Sequence, residues 1–430
     1  MLVGYMLLRT GAALLMTTAV LWGADAPKGP GLPAWLKLGA EIRGRVESNT
    51  AIGFVRDRDA GYYLHRLRLS AGVEPHRQVR FFVQVQDSQA PGYGLKPVLA
   101  TVVNTLDLRQ GYLELGLAGQ NGWSLRLGRQ DLIFGEERLV GASGWGNVGR
   151  SFDAARFSYK RQRVRLDWFA SAVVVPLKDS FDHPRLSNGF YGFYSSFDRL
   201  IQYSVVEPYL LWKTASRVRG EVGVSGDQDL YTSGVCAVGK LRRGFDYGLE
   251  VALQTGHYAR DDIRAWAGHW ALGYALPAGK RPPRLLLEYN YASGDGDPAD
   301  GRRGTFDQLY PTNHFKYGTA DRMGWRNVHD LMAGLEWRFF PKWRVNPAWH
   351  RFSLANRRDG LYTEAGAPLL RYPGASSSRV GDEIDLEVTH QFSPRFGIGA
   401  GYAHLFRGPY LEHAGRSGAS YPYLMWTCRL

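Results

Sequence analysis

The residues in this chain best suited to chemistry are its arginines. Of 53 cationic residues, 43 are Arg, and the net charge is +13. A guanidinium stays charged at all physiological pH values and presents a planar fork of donors that matches a carboxylate or a phosphate. This composition indicates affinity for anions, provided that the fold gathers the arginines on one surface.

Charged and apolar side chains alternate along the chain with a period of two. In Leu36–Glu47, for example, Ile42 and Val46 share the apolar parity, whereas Arg43 and Arg45 share the charged one. Successive side chains of a strand point to opposite faces, so this strand has one oily face and one charged face. A soluble sandwich buries the oily face. A membrane barrel turns it to lipid and lines a wet lumen with charge.

The alternation extends over most of the chain. It predicts 18 strands, at 35–48, 62–74, 79–87, 106–117, 123–133, 153–161, 164–175, 202–214, 218–225, 231–241, 244–257, 264–276, 284–293, 328–340, 343–354, 382–392, 396–406 and 419–430. Short turns, including 162–163, 215–217 and 341–342, alternate with mostly longer connections. The predicted fold class is therefore all-β, a transmembrane up-and-down antiparallel β-barrel of about 18 strands.

The N-terminus is predicted to be an export signal. Arg9 precedes the apolar run Gly11–Trp22, which is too short to span a bilayer, and small residues follow it. Cleavage is expected near residues 23–26, which gives a signal peptide over 1–26 and one barrel domain over 27–430. Export together with a barrel predicts a location in the bacterial outer membrane.

Parity also predicts which arginines face the lumen, because Arg on the lipid face at mid-depth costs about 2–4 kcal/mol. The predicted inward arginines are Arg43, Arg45, Arg66, Arg68, Arg80, Arg126, Arg156 and Arg338. Carboxylates are predicted in the same interior, among them Glu41, Glu288 and Asp385. Like charge inside a low-dielectric wall enriches anions. The alternative interpretation is that arginine–carboxylate ladders brace the wall without touching a solute.

Five runs carry a family resemblance: Leu127–Gly135 (LGRQDLIFG), Gly141–Arg156 (GASGWGNVGRSFDAAR), Tyr289–Asp300 (YNYASGDGDPAD), Gly304–Tyr317 (GTFDQLYPTNHFKY) and Gly324–Asp330 (GWRNVHD). They resemble the alginate export family of outer-membrane β-barrels, over nearly the whole mature chain. The resemblance implies an 18-stranded monomer that passes a polyuronate through an electropositive constriction. It also implies a periplasmic scaffold and an inner-membrane polymerase complex as partners.

By that resemblance the constriction lies at Arg43 or Arg45, Arg109, Arg126, Arg129, Asp153 and Arg156. Parity agrees for Arg126 and Arg156. It places Arg129 on the lipid side unless the strand bulges after Gly128, and the alternation also slips near Arg109.

Signals for cofactors and catalysis are weak. Asp295, Asp297 and Asp300 resemble part of a calcium loop, but the twelfth position is Phe306 instead of a bidentate Glu. An acidic turn is the default interpretation, with a loop-bound Ca²⁺ as the alternative. No other cofactor is expected. The sequence contains no H-E-x-x-H, C-x-x-C or G-x-S-x-G motif, and no nucleic-acid-binding module is recognised.

Three functions remain open. The first is an outer-membrane channel for passage or export of an anionic polysaccharide such as alginate. The second is an anion-selective porin for small organic acids. The third, from another class, is a β-rich polysaccharide-processing enzyme. The sequence favours the channel with an arginine-rich lumen, which is not an enzyme and which contacts outer-membrane lipid and lipopolysaccharide.

Overall fold

A computed structural model describes residues 31–221 and 223–430, so the predicted signal peptide over 1–26 lies outside the described residues. The described residues form a closed antiparallel β-barrel of 18 strands, which confirms the predicted fold class. The barrel strands, numbered β1 to β18 in chain order, are Leu36–Asn49, Ala60–His76, Val79–Gln89, Asn104–Gly116, Gly122–Gln130, Phe152–Arg161, Val164–Val175, His183–Asp198, Ser204–Arg219, Ser225–Lys240, Phe245–Tyr258, Asp261–Ala275, Arg284–Ala292, Val328–Phe340, Trp343–Ser353, Arg379–Ser393, Phe396–Arg407 and Ala419–Arg429.

The barrel closes where its first and last strands meet. β1 pairs with β2 on one side and with β18 on the other, from Glu41 opposite Arg429 to Glu47 opposite Tyr423. Closure leaves no strand edge, and it satisfies the backbone N–H and C=O groups of the wall without water. Hydrocarbon surroundings impose this requirement on any sheet that spans a membrane.

The two faces of the wall differ as the alternation predicted. On β1, Leu38 and Val46 are 57% and 53% exposed, whereas Arg43 and Arg45 are buried on the inner side. Such an exposed apolar surface would be unstable in water and is the surface that lipid covers. In the described part of the chain, no helix is both long and apolar enough to cross a membrane.

The connections alternate in length around the barrel. The end that carries both termini of the barrel has short turns, such as 77–78, 162–163 and 394–395, and the other end has the long loops. Smaller elements lie in these connections: 3₁₀ turns at Ile52–Phe54 and Arg242–Gly244, a five-residue helix α1 at Pro409–His413, and short strands at Arg302–Arg303, Leu361–Tyr362 and Pro368–Leu370. Short turns mark the periplasmic end of outer-membrane barrels.

One predicted strand was wrong and one strand of the structure was missed, although the total was right. The structure adds β8 at His183–Asp198, which the alternation missed, and β9 continues through the predicted turn at 215–217 to Arg219. The predicted strand at 218–225 therefore covers the end of β9, the turn at 220–224 and the first residue of β10. On β8 the inward residues include Phe190 and Tyr194, which pack against aromatic residues of other segments instead of facing water. Apolar residues on both faces remove the alternation.

Two long loops fold into the lumen and form a core there. We call residues 131–151 the Trp145 loop and residues 293–327 the Tyr310 loop. Leu132 of the first and Phe306 and Trp325 of the second are fully buried and belong to one cluster with Phe190 and Phe352 of the wall. The lumen is thus occupied by packed protein and is not an empty tube.

The lipid-facing assignment can be tested on β13 with two adjacent leucines. Leu287 points outward and is 52% exposed, whereas Leu286 points inward between Gly273 and Gly334. We expect Leu287→Arg to lower the free energy of unfolding from phospholipid vesicles by about 2–4 kcal/mol, because the charge lies in hydrocarbon. Leu286→Arg should cost roughly 1 kcal/mol or less, since it extends into the lumen. Equal losses in a urea titration of the two variants would contradict a lipid-facing outer wall.

Candidate functional site in the lumen

Charges on the inner wall separate into two arcs. The basic arc comprises the inward arginines of β1–β6, which are Arg43, Arg45, Arg66, Arg68, Arg80, Arg109, Arg126 and Arg156. The acidic arc is the inner side of β9–β16, where carboxylates outnumber cations such as Lys213 and Arg284; these carboxylates are Glu207, Asp246, Glu250, Glu288, Asp330, Glu336, Glu383, Asp385 and Glu387. Strand order places the two arcs on different sides of the lumen. Carboxylates such as Glu41 and Glu114 lie among the arginines and pair with them.

The Trp145 loop lies against the basic arc and presents backbone carbonyls to it. Arg43 donates from Nη1 to Gly144 O and from Nη2 to Trp145 O and Gly146 O, each at 3.0 Å. Arg45 donates from Nη1 to Trp145 O at 2.8 Å, and Arg66 donates to Gly144 O at 3.1 Å. Hydrogen bonds to charged donors are the strong ones. These arginines therefore fix the loop to the wall.

The backbone conformation of the Trp145 loop requires glycine at residue 149. Gly149 has a φ of +82°, and a Cβ there would lie 3.4 Å from Arg109 Nη2 and 3.5 Å from Arg68 Nη2. A side chain would be strained in this backbone conformation, and its Cβ would also lie only 3.2 Å from Ala142 O. Gly149 thus allows the loop backbone to turn beside the two arginines.

Trp145 joins the two inner loops. Its ring lies 3.8 Å from the guanidinium carbon of Arg45 on one side and stacks on His314 of the Tyr310 loop on the other, with centroids 3.7 Å apart. Burial lowers the pKa of His314 well below its usual value, so the ring stays neutral and stacks without a charge penalty. The loops also bond through their backbones, with Gly141 N donating to Tyr310 O at 2.8 Å. They form one unit.

The acidic arc holds the same unit from the other side. Arg138 of the Trp145 loop reaches Glu288 at 3.4 Å. Thr319 N donates to Asp385 Oδ2 at 3.1 Å, and Ala320 N donates to Glu383 Oε1 at 3.0 Å. The basic arc thus binds loop carbonyls, and the acidic arc binds loop amides.

Toward the short-turn end, Arg126 and Arg156 remain partly exposed. They lie directly opposite each other on β5 and β6, with side chains 24% and 14% exposed. Arg126 shares Glu114 with Arg80 at 2.9 and 3.2 Å. Arg156 shares Asp167 with Arg165 at 2.9 and 2.6 Å. Each carboxylate serves two arginines, so the surface beneath the loops keeps a net positive charge.

Most predicted site residues lie together on the basic arc, including Arg68, which donates to Gln86 at 2.6 Å. Arg109 occupies a bulge of β4, where Val85 opposes Leu108 but Gln84 opposes Gln110. The slip in alternation predicted near Arg109 is this bulge. Arg109 points inward and pairs with Asp131 at 2.6 Å.

Arg129 and Asp153 do not belong to this group. β5 pairs with β6 without a bulge, so Arg129 and Asp153 lie opposite each other on the outward parity, with Leu127 and Ala155. They form an ion pair at 2.8 Å, and Arg129 also donates to Asp182 O of the 176–182 loop. The ion pair and the covering 176–182 loop remove the free-energy cost of placing these charges on the outward face of the wall. The resemblance assigns both residues to the constriction, whereas the strand register places them on the outward parity, apart from the basic arc.

Arg338 lies apart from the other arginines. It is exposed near the end of β14, two residues before the turn at 341–342, in a stretch where the pairing with β15 is irregular. It lies at the mouth of the barrel and does not contact the inner loops.

The calcium interpretation receives no support. Asp295 accepts from Asp297 N at 3.0 Å, Asp297 from Ala299 N at 3.2 Å and Asp300 from Arg302 N at 2.8 Å. Each carboxylate caps a local turn. Across 31–221 and 223–430, no group of three or more His, Cys, Asp or Glu side chains is arranged to hold a metal ion.

Sequence reasoning missed two cations that the inner loops carry into the lumen. Arg150 donates to Pro311 O at 2.8 Å, and burial lowers its pKa to about 10, which leaves it charged at neutral pH. Lys316 is half-buried beside Phe315, and burial lowers its pKa as well. Parity does not apply to loops. The signal that could have identified them is their position inside the runs GASGWGNVGR and GTFDQLYPTNHFKY.

Because Arg43 bonds three carbonyls of the Trp145 loop, we expect Arg43→Ala to speed hydrogen–deuterium exchange of that loop. A hydrogen bond to a charged group contributes about 1.5–3 kcal/mol, and the substitution removes three of them. Hydrogen–deuterium exchange of a peptide covering 141–150 should become roughly 10- to 100-fold faster, with the barrel intact. Arg338→Ala is the matched control and should leave this exchange unchanged. Unchanged exchange in Arg43→Ala would show that the arginine does not hold the loop.

We expect the attachment of residues 354–378, which we call the cap loop, to depend on pH. Glu364 O accepts from Gln308 Nε2 at 2.6 Å, and Arg326 donates to Gly366 O at 2.9 Å, so the cap loop rests on the Tyr310 loop. Burial and the nearby Asp321 raise the pKa of Glu364 from 4.5 to about 7.

Because the attached cap binds the proton more tightly, its attachment should weaken as pH rises from about 4.5 to about 7 and then level off. Exchange of 360–370, corrected for the intrinsic rate, should therefore be faster at pH 8 than at pH 5. Glu364→Gln should remove the difference, and Glu412→Gln, at a side chain 59% exposed, should retain it. A pH profile unaffected by Glu364→Gln would contradict this assignment.

The barrel is similar to solved proteins of Pseudomonas aeruginosa. OpdO aligns with a TM-score of 0.61 at 13% identity, over 92% of this chain and 97% of that one. OpdQ gives 0.62 at 10% identity, over 92% and 97%. The outer membrane protein OpdK gives 0.61 at 14% identity, over 92% and 99%. At these identities the likeness shows the fold alone.

Among curated protein sequences, none matches this chain. The family model for alginate export does match, over residues 34–423, and it confirms the resemblance drawn from the five motif runs. The barrel and this match together place the protein in the bacterial outer membrane. The chain belongs to the alginate export family of outer-membrane β-barrels.

Proposed function

We propose that the protein is an anion-selective channel that passes an anionic saccharide, with an alginate-like polyuronate as its cargo. The observation that carries the proposal is the basic arc, with Arg126 opposite Arg156 and partly exposed beneath the inner loops. Membership of the alginate export family supports the choice of a polyuronate. No catalytic role is assigned.

Arginine suits transport of a carboxylated sugar for two reasons. Its forked donors bind a carboxylate bidentately, and Arg126 and Arg156 each already share a carboxylate with another arginine, which keeps the interaction with a solute weak enough for release. Lys316 and Arg150 extend positive charge from the wall onto the inner loops. A solute carboxylate moving past the loops would therefore meet cations on more than one side.

A second candidate is a porin for small organic acids. The inner loops are packed as core, with Phe306 and Trp325 both 0% exposed, so the path beside them is narrow unless the loops move. A narrow path admits a small acid more readily than a polymer. OpdK, one of the similar barrels, has a crystal structure with vanillate, an aromatic acid.

The remaining partners follow from the same proposal. A channel of this kind would act as a monomer in outer-membrane lipid, and for export it would receive polymer from a periplasmic scaffold. The signal peptide over residues 1–26 stays a prediction. The described residues do not include it.

Planar-bilayer recordings test the proposal on Arg126→Ala and Arg156→Ala. Both variants should fold, because Glu114 keeps Arg80 and Asp167 keeps Arg165 as a partner. Removing a charge within about 8 Å of a permeating ion changes its energy by roughly 1 kcal/mol. The anion-to-cation permeability ratio, read from the reversal potential in a salt gradient, should fall about fivefold for each variant.

The control is Arg242→Ala, at an exposed arginine of the short turn 241–244, which should keep the wild-type ratio. Unchanged selectivity in both lumen variants would refute the anion channel. An oligouronate of about ten sugars should block the wild-type current, and a monouronate should permeate. Permeation of the monomer without block by the oligomer would favour the porin for small acids.

A further inference from the structure

Exposed arginines concentrate at the long-loop end of β15–β18. They are Arg351, Arg357, Arg358, Arg371, Arg379 and Arg407. In the described stretch 351–416, Glu412 is the only exposed carboxylate. None of these arginines belongs to the basic arc, and the proposed channel does not use them.

Part of this cluster lies on the outer face of the wall. Arg351, Asp382 and Phe406 pair directly across β15, β16 and β17. Their neighbours His350, Glu383 and Leu405 are buried on the inner side, so the row itself points outward, toward the membrane.

Arg351 of the row retains free donors, and Arg379 shares its carboxylate. Arg351 Nε donates to Asp382 Oδ1 at 2.8 Å, and Arg379 bonds the other oxygen of the same carboxylate. The side chains of Arg351 and Arg379 are 49% and 46% exposed. Within the part of the chain that the structure describes, Arg351 Nη1 and Nη2 make no hydrogen bond. Two guanidinium groups thus share one carboxylate and keep a net positive charge.

An apolar wall begins immediately below the row, toward the short-turn end. The next outward row pairs Trp349 with Ile384, and the one after it pairs Leu386 with Tyr402. Ile384, Leu386 and Tyr402 are 43–45% exposed. The guanidinium carbon of Arg351 lies 5.2 Å from the centre of the Trp349 ring, so its charge is held at the upper edge of the apolar rows.

We propose that Arg351 and Arg379, which with Asp382 form what we call the rim, bind the phosphate groups of a phosphorylated outer-leaflet glycolipid. The acyl chains of the glycolipid would lie on the apolar rows below. Guanidinium groups bind phosphate bidentately, and the site joins these donors to a surface that only acyl chains fill. A soluble anionic saccharide supplies the charge but leaves the apolar rows without a partner. The site is outside the lumen, so it is independent of the transported solute.

The test uses purified full-length protein and fluorescent lipid A, with binding followed by anisotropy in neutral detergent. Bisphosphorylated lipid A should bind at least tenfold more tightly than its dephosphorylated form. The triple variant R351Q/D382N/R379Q should lose this preference. D382N is included because Asp382 would otherwise lose both of its arginine partners. R77Q removes the same net charge at an exposed turn of the opposite end and should bind like wild type.

Equal binding of both lipids by the wild-type protein would overturn the proposal, whether or not the triple variant folds. Retained phosphate preference in a folded triple variant would overturn it as well. Competition separates the other ligands: neither inorganic phosphate nor a soluble oligouronate should displace the lipid at equimolar concentration. Displacement by the oligouronate would assign the rim to the saccharide instead.

Discussion

A wide barrel lined with charge cannot satisfy its own inner surface, and this constraint determines much of the structure. Buried polar groups need partners, and side chains on distant strands do not meet across the lumen. The two inner loops supply those partners from their backbones. Arginines of the basic arc take carbonyls such as Gly144 O and Gly146 O, and carboxylates of the acidic arc take amides such as Ala320 N. The loops are therefore held by opposite ends of the peptide dipole.

Binding by peptide dipoles has an electrostatic consequence. A carbonyl satisfies a guanidinium without cancelling its charge, whereas a carboxylate cancels it. Arg43 bonds three carbonyls and keeps its full charge, and Arg126 and Arg156 each share a carboxylate with another arginine. The potential of the basic arc thus survives the packing of the loops. An anion channel needs a structured interior and an unneutralised field at once.

Alternation was sufficient to predict the barrel, because most wall residues face either lipid or a polar lumen, as Ile42 and Arg43 do. It failed on β8, where Phe190 and Tyr194 face inward onto packed aromatic groups. The strand register agrees with parity that Arg129 lies on the outward side, whereas the family motifs assigned it to the lumen. The partners of Arg43 were beyond sequence reasoning, since Gly144 lies 101 residues away in a loop without periodicity. Wall positions follow a repeating rule, and loop positions depend on contacts that no local pattern encodes.

The seam between β1 and β18 bears on how the molecule assembles. Arg429 and Glu41, which bond across it, are 388 residues apart, so closing the seam joins distant parts of the chain and carries a large entropic cost. The same two strands hold Trp145, through Arg45 on β1 and Tyr423 on β18, whose ring lies 5.0 Å away. The Trp145 loop therefore contacts both strands of the seam. Closure of the wall and packing of its interior are thus energetically coupled, because the same ring stabilises both.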